Sequence, residues 1–326
     1  MEKQDSAARI AASWEEGMSK TGKGHLLALM AVLVWGTTFI SSKILLRSFA
    51  TAEILFIRFV LGYLVLVLLC RKRIRAEGWK EERWYLLAGL SGVTLYYFLE
   101  NQALVYTLAS NVGVIVSSAP LFTVILAAIF LKEEKIGARF FAGFVCAMAG
   151  IVLISFQGGE SVELNPKGDF LAVTAAFWWG IYSVALRKIS AYQRNTLAVT
   201  RRIFFWGVVF MIPMFLGTGD LKHFDRIFQP VNFGNLLFLG IGASALCFAA
   251  WNYAVEALGA VKSSVYIYLN PVTTLIGAYL ILGERITTAG AIGTVLTFAG
   301  LALSEKKEKT KNHSEEEHRD GEKICI

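Results

Sequence analysis

The chain divides into apolar runs of about twenty residues, separated by short polar, basic or glycine-containing stretches. Ten such runs stand out, at 25–43, 53–70, 84–108, 111–131, 138–156, 168–187, 195–217, 234–257, 261–283 and 287–304. At a rise of about 1.5 Å per residue, a run of this length crosses the hydrocarbon core of a bilayer as a helix. Few of the runs show the polar face that a helix on a soluble domain must carry. The pattern predicts an all-α integral membrane protein with ten transmembrane helices.

The runs repeat. Ser117-Ser118-Ala119-Pro120 leads an apolar run that closes in Leu131-Lys132-Glu133-Glu134, and Asn270-Pro271 leads another that closes in Leu282-Gly283-Glu284-Arg285. Pro120 and Pro271 are 151 positions apart, as are Asn101 and Asn252, and Glu133 and Glu284. Upstream the offset is 144, where Trp35-Gly36 matches Trp179-Gly180 and Arg58 matches Arg202. A fixed-period recurrence sets the architecture before any local reading. It predicts a polar N-terminal segment (1–24), one five-helix unit (25–156), a linker (157–167), a second five-helix unit (168–304) and a charged tail (305–326). Ile10, Trp14 and Met18 give the first segment one apolar stripe, which suits either a membrane-surface helix or a free tail.

An odd number of spans turns the second unit upside down relative to the first. Inverted repeats are a frequent build of secondary transporters, with the substrate site near the midplane and paired helix interruptions as pointers to it. Here the paired interruptions are Pro120 and Pro271, which act either as hinges or as static kinks. Lys and Arg fix the orientation. With the N-terminus inside, the inner loops and termini hold 23 of them and the outer loops 6, so both ends are expected in the cytoplasm. That asymmetry accounts for the formal charge of +7 without invoking nucleic acid. Composition agrees: 55% of residues are hydrophobic, 17% are charged and the mean hydropathy is +0.53, against about a quarter charged in soluble domains.

The duplicated unit, the Trp-Gly of its first helix, the Asn of its third, the Pro of its fourth and the acidic close of that helix resemble the drug/metabolite transporter superfamily. Within it the chain is most similar to the ten-helix EamA-type permeases, over about residues 25–304. The resemblance implies an exporter of amino acids or other small metabolites in a bacterial inner membrane, energised by an ion gradient and needing no cofactor. A nucleotide-sugar or lipid-precursor carrier of the same superfamily is the nearest alternative, and a membrane-embedded transferase is a more distant one.

Candidate chemistry begins with the charges inside the runs: Arg58, Glu100, Arg201 and Arg202. Such groups are costly in a bilayer and tend to face the bundle interior. Counted from the helix ends, Arg58 and Glu100 lie about 8 and 12 Å below the outer surface, close enough in depth to pair. In one reading Glu100 takes up a proton or a cation while Arg58 or Arg202 attracts a substrate carboxylate. In the other, Arg58 and Glu100 form a permanent ion pair. Polar and aromatic side chains add a cavity wall: Trp35 and Thr38 on helix one, Tyr97 and Asn101 on helix three, Trp179 and Tyr182 on helix six, Asn252 on helix eight, and Tyr266 and Asn270 on helix nine. Each could instead serve packing or interhelical hydrogen bonding. A small-molecule substrate fits this wall better than an inorganic ion does.

Glycine and alanine at small-xxx-small spacing mark helices five and ten as scaffold, or as the surface of a homodimer. His25, His223, His313 and His318 lack metal-ligand spacing, and Cys70, Cys146, Cys247 and Cys325 are scattered. No phosphate-cradling loop of the Walker type occurs, so neither a metal centre nor direct ATP coupling is expected.

Overall fold

A computed structural model describes residues 19–71, 73–74, 76–107, 109–131, 137–155, 165–218, 221–273, 276 and 288–305. The N-terminal stripe, the acidic closes at Glu133 and Glu284, most of the 157–167 linker, Thr274 and almost all of the tail lie outside these residues. The described chain is helical, and its long segments follow the ten runs. They are α1 (Lys20–Leu45), α2 (Thr51–Leu69), α3 (Trp79–Ala88 through Tyr96–Tyr106), α4 (Ala109–Val116 and Ala119–Phe130) and α5 (Ala138–Ser155), then α6 (Pro166–Ser190), α7 (Thr196–Thr218), α8 (Pro230–Leu258), α9 (beginning at Ala260–Ser264) and α10 (Thr288–Glu305). Six are long and apolar enough on their own to cross a membrane, and α5 and α10 are shorter apolar helices. Several helices begin a few residues before their apolar run because a polar cap starts them. Ser19 Oγ accepts from the Gly22 N–H and Asn165 Oδ1 from the Gly168 N–H, each satisfying a first-turn donor.

Repeat mates run antiparallel where they touch. A Cβ on Gly300 would stand 2.6 Å from Gly143 O, whereas one on Gly293 would stand 2.5 Å from Gly150 O. The position along α10 therefore falls as that along α5 rises. On α2 and α7, Phe56 stacks on Phe215 at 4.5 Å while Tyr63 meets Phe205 at 6.3 Å, the same reversal. Exchange is reciprocal as well: α1 packs on α8 as α6 packs on α3, and α9 on α1 as α4 on α6. Two five-helix units of opposite insertion thus wrap around each other. The small-residue faces of α5 and α10 meet one another within the chain.

Four helices depart from α geometry, and the departures come in matched pairs. α3 and α8 each contain a π segment, Gly89–Leu95 and Phe238–Leu246. α4 stops at Val116 and restarts at Ala119, and α9 runs through a 3-10 turn, Val265–Leu269, before resuming at 270. Pro120 and Pro271 each fall second in the restarted helix, where the missing N–H costs nothing. They begin a helix after a break and do not kink a continuous one, which corrects the sequence expectation. The Trp-Gly pairs fit the same scheme. A Cβ on Gly36 would come within 2.7 Å of Thr273 Cβ and 3.0 Å of Asn270 O; one on Gly180 would come within 3.0 Å of the Phe122 carbonyl carbon. Each glycine lets a restarted helix cross closely just past its proline.

Adding a methyl group at Gly36 should therefore displace α9. Gly36→Ala is expected to lower stability by about 1–3 kcal/mol, the usual cost of overpacking. Pairing it with Thr273→Gly should recover most of the loss. Thermal unfolding of the purified protein in detergent checks both variants.

Candidate functional site

Between the two breaks lies a small, partly open cavity. Trp35, Thr38 and Phe39 of α1, Tyr96, Tyr97 and Glu100 of α3 and Trp179 of α6 form most of its wall. Val116 and Ala119 bracket the gap in α4, while Ile267 lies within the turn of α9 and Asn270 just past it. Local chain chemistry exposes these positions. Ser117 Oγ and Ser118 Oγ donate to Gly113 O and Ile115 O at 2.7 and 2.6 Å, serving carbonyls at the helix break. The π segment of α3 ends at Leu95, immediately before Tyr96 and Tyr97.

The aromatic wall is ordered by edge contacts. Trp35 and Trp179 meet edge to face with centroids 5.4 Å apart, and Tyr96 lies 4.8 Å from both Trp179 and Tyr97. The Trp35 Nε1–H donates to Ala243 O, inside the π segment of α8, at 2.9 Å. Trp179 Nε1 is buried with no hydrogen-bond partner among the described residues, and so is Glu100 Oε2. Glu100 is the only ionisable carboxylate on the described wall and is 5% exposed.

Six of the sequence candidates meet here: Trp35, Thr38, Tyr97, Glu100, Trp179 and Asn270. The others have different places. Arg58 is 1% exposed, its Nε donates to Ser244 Oγ at 2.6 Å, and its guanidinium covers the Tyr97 ring at 4.3 Å. It therefore stands behind the wall, on the far side of a lining residue. No ion pair joins it to Glu100 among the described residues, so the permanent lock considered from the sequence is absent. Tyr182 donates to Asn252 Oδ1, and Asn252 Nδ2 donates to Thr200 Oγ1 at 2.9 Å, a buried clasp of α6, α7 and α8. Asn101 Nδ2 donates to Tyr97 O one turn back at 2.9 Å. The Tyr266 hydroxyl contacts His25 Nδ1 at 2.7 Å, joining α9 to α1.

Arg202 points to neither cavity nor substrate. It pairs with Glu82 at 2.7 Å, and the Trp206 indole N–H donates to the same Glu82 oxygen at 2.5 Å. Arg201 donates to Cys70 O at the end of α2, 2.6 Å away. Further ion pairs lie at the same end of the bundle, where α1, α3 and α7 begin and α8 finishes. Arg194 meets Glu77 at 2.7 Å and Glu81 at 3.2 Å, and Lys20 meets Glu256 at 2.8 Å. Each of these pairs ties one repeat to the other. Phe39, Val116, Ala119 and Ile267 of the wall, and Glu77, Glu81 and Glu82 of this ionic end, escaped the sequence reading, whereas Tyr96 was legible beside Tyr97 as a hydroxyl of helix three. For the acids the signal was a run of carboxylates facing a basic mate in the other repeat.

A family model described as the EamA-like transporter family matches residues 22–156 and 166–305, one copy for each repeat. The chain belongs to the EamA-like transporter family. An uncharacterized transporter of Archaeoglobus fulgidus is 32% identical over 88% of this chain and 98% of its own length. A protein of Streptantibioticus cattleyicolor named as a probable terminal-alkyne amino-acid exporter is 26% identical over 88% of this chain and 95% of its own. A crystal structure with 21% sequence identity superposes with a TM-score of 0.70 over 88% of this chain, which shows the shared fold. The EamA-like protein described here is thus a multi-pass membrane transporter and not an enzyme.

The clasp and the wall should separate experimentally. Asn252→Ala leaves two buried hydroxyls without their partner and is expected to cost about 1–2 kcal/mol, near the upper end for hydrogen bonds within membranes. Its effect should appear as a lower unfolding temperature in detergent, with ligand affinity unchanged.

Proposed function

We propose that this protein moves small metabolites, amino acids or related compounds, out of the cell by alternating access, and that the cavity is its substrate site. One observation carries the reading: the breaks of α4 and α9, equivalent helices of two inverted units, flank an aromatic cavity with Glu100 in its described wall. The name of the Streptantibioticus relative supports the amino-acid class.

The loop charges favour an inner membrane location with both termini in the cytoplasm. In that orientation the ion pairs of Lys20, Arg194 and Arg202 close the cytoplasmic end. Opening that end requires them to part, and the broken helices supply the joints about which the halves can turn. The Lys20–Glu256 and Arg194–Glu77 pairs are partly exposed, so each is worth little and can be broken and remade. The Glu81 and Glu82 carboxylates are buried, and water must replace their arginines as the end opens. Proton coupling runs through Glu100 in this reading, since the carboxylate can hold either a proton or a substrate cation while Arg58 and the Tyr96 and Tyr97 hydroxyls stay in place around it. A carrier of nucleotide sugars or lipid phosphates is less well supported, because the described wall presents no Lys or Arg to a phosphate.

Reconstitution tests the proposal. Labelled amino acids and amines are screened in liposomes with and without a proton gradient. For substrates that move, Glu100→Gln is expected to cut gradient-driven flux at least tenfold; undiminished flux removes Glu100 from coupling. In a background with the four cysteines replaced by serine, Thr38→Cys should react with a maleimide applied from the cytoplasmic side five- to tenfold faster when Arg202→Ala is added. That corresponds to a shift of about 1 kcal/mol between the two states.

A further inference from the structure

We infer that the cavity takes the cationic end of a small organic amine that carries no free carboxylate. The inference rests on the cavity being the transport site and narrows the proposed class to amines related to amino acids but lacking their carboxylate. Charge is the first observation. Glu100 carries the one carboxyl group on the described wall, and its Oε2 is buried without a hydrogen-bond partner among the described residues. Leaving a carboxylate oxygen unsatisfied is costly, and an ammonium, with three donors and no acceptor, answers it.

The surroundings of Glu100 favour the same partner. Trp35, Tyr96, Tyr97 and Trp179 enclose the space with faces and edges at mixed angles. Aromatic faces attract a desolvated cation, the principle behind cages for ammonium ligands. The nearby positive charge, Arg58, lies outside the cavity, against the Tyr97 ring and Ser244. Its Nη2 is buried without a hydrogen-bond partner among the described residues, but Arg58 is not part of the cavity lining.

A zwitterionic amino acid fares worse. Its carboxylate is two bonds from its ammonium, so docking the ammonium on Glu100 brings two carboxylates together with no cation on the wall to separate them. Neutral donors do face the space, among them the Trp179 indole N–H, which lacks a partner among the described residues. They suit a neutral acceptor such as an amide carbonyl, ester or hydroxyl.

Calorimetric titration of the full chain in lipid nanodiscs tests this, with phenethylamine, phenylalanine and 3-phenylpropionate as probes. The three share a ring and differ in charge. Phenethylamine is expected to bind at least tenfold tighter than phenylalanine, with phenylpropionate weakest. Glu100→Gln should weaken phenethylamine at least tenfold and bring the three within about threefold. Glu100→Asp, which keeps the charge, should preserve the order. Equal or tighter binding of phenylalanine or phenylpropionate, no binding by any probe, or an amine affinity indifferent to Glu100→Gln would each overturn the inference. Any of these results with Thr38→Cys still labelled from both membrane faces leaves alternating access standing. Labelling from one face alone counts against the transport reading itself.

Discussion

A polypeptide inside hydrocarbon has no water to satisfy its amides, so every departure from α-helical bonding must be answered by another part of the protein. This chain departs four times near its centre, and its arrangement follows from how those debts are met. Ser117 and Ser118 serve carbonyls before the gap in α4, and Ser263 and Ser264 serve Gly259, Ala260 and Val261 before the turn in α9. Thr94 bonds Gly207 O across to α7, and Trp35 bonds Ala243 O in the second π segment. The small residues that permit these close crossings are the glycines facing them.

The two units are alike in backbone and unlike in what they enclose. Glu100 and Tyr97 of the first unit correspond to Trp251 and Phe248 of the second, and Thr38 corresponds to Tyr182. Trp251, Phe248 and Tyr182 are fully buried and pack with Trp35, Trp179 and Phe204 into one aromatic core. The mirrored space is therefore filled by rings, and the cavity lies to one side of the pseudo-symmetry axis.

Much of this was legible in the sequence because it depends on distance along the chain. The ten runs, the 151- and 144-residue offsets and the pairing of Pro120 with Pro271 are one-dimensional facts, and they carried over into helices and inversion. Depth was readable too, which is why Trp35, Glu100, Trp179 and Asn270 were found on the wall. What failed was rotation about each helix axis. Arg58 and Glu100 share a depth but face different neighbours, Ser244 and the cavity, and nothing in their spacing says so. Arg202 matched Arg58 by repeat position, yet a carboxylate 120 residues away at Glu82 claimed it. The π segments were missed although Gly89 and Gly240 stand one repeat apart, because a single extra residue in a turn leaves hydrophobicity unchanged.

The single carboxylate has an electrical corollary. A chamber with one anionic site accommodates one unit of positive charge at a time, whether proton or ammonium. An exchange cycle that swaps the first for the second carries no net charge across the bilayer. Such a cycle responds to the difference in acidity between the two compartments and is indifferent to the membrane voltage, so its rate would be unaltered by a potassium diffusion potential.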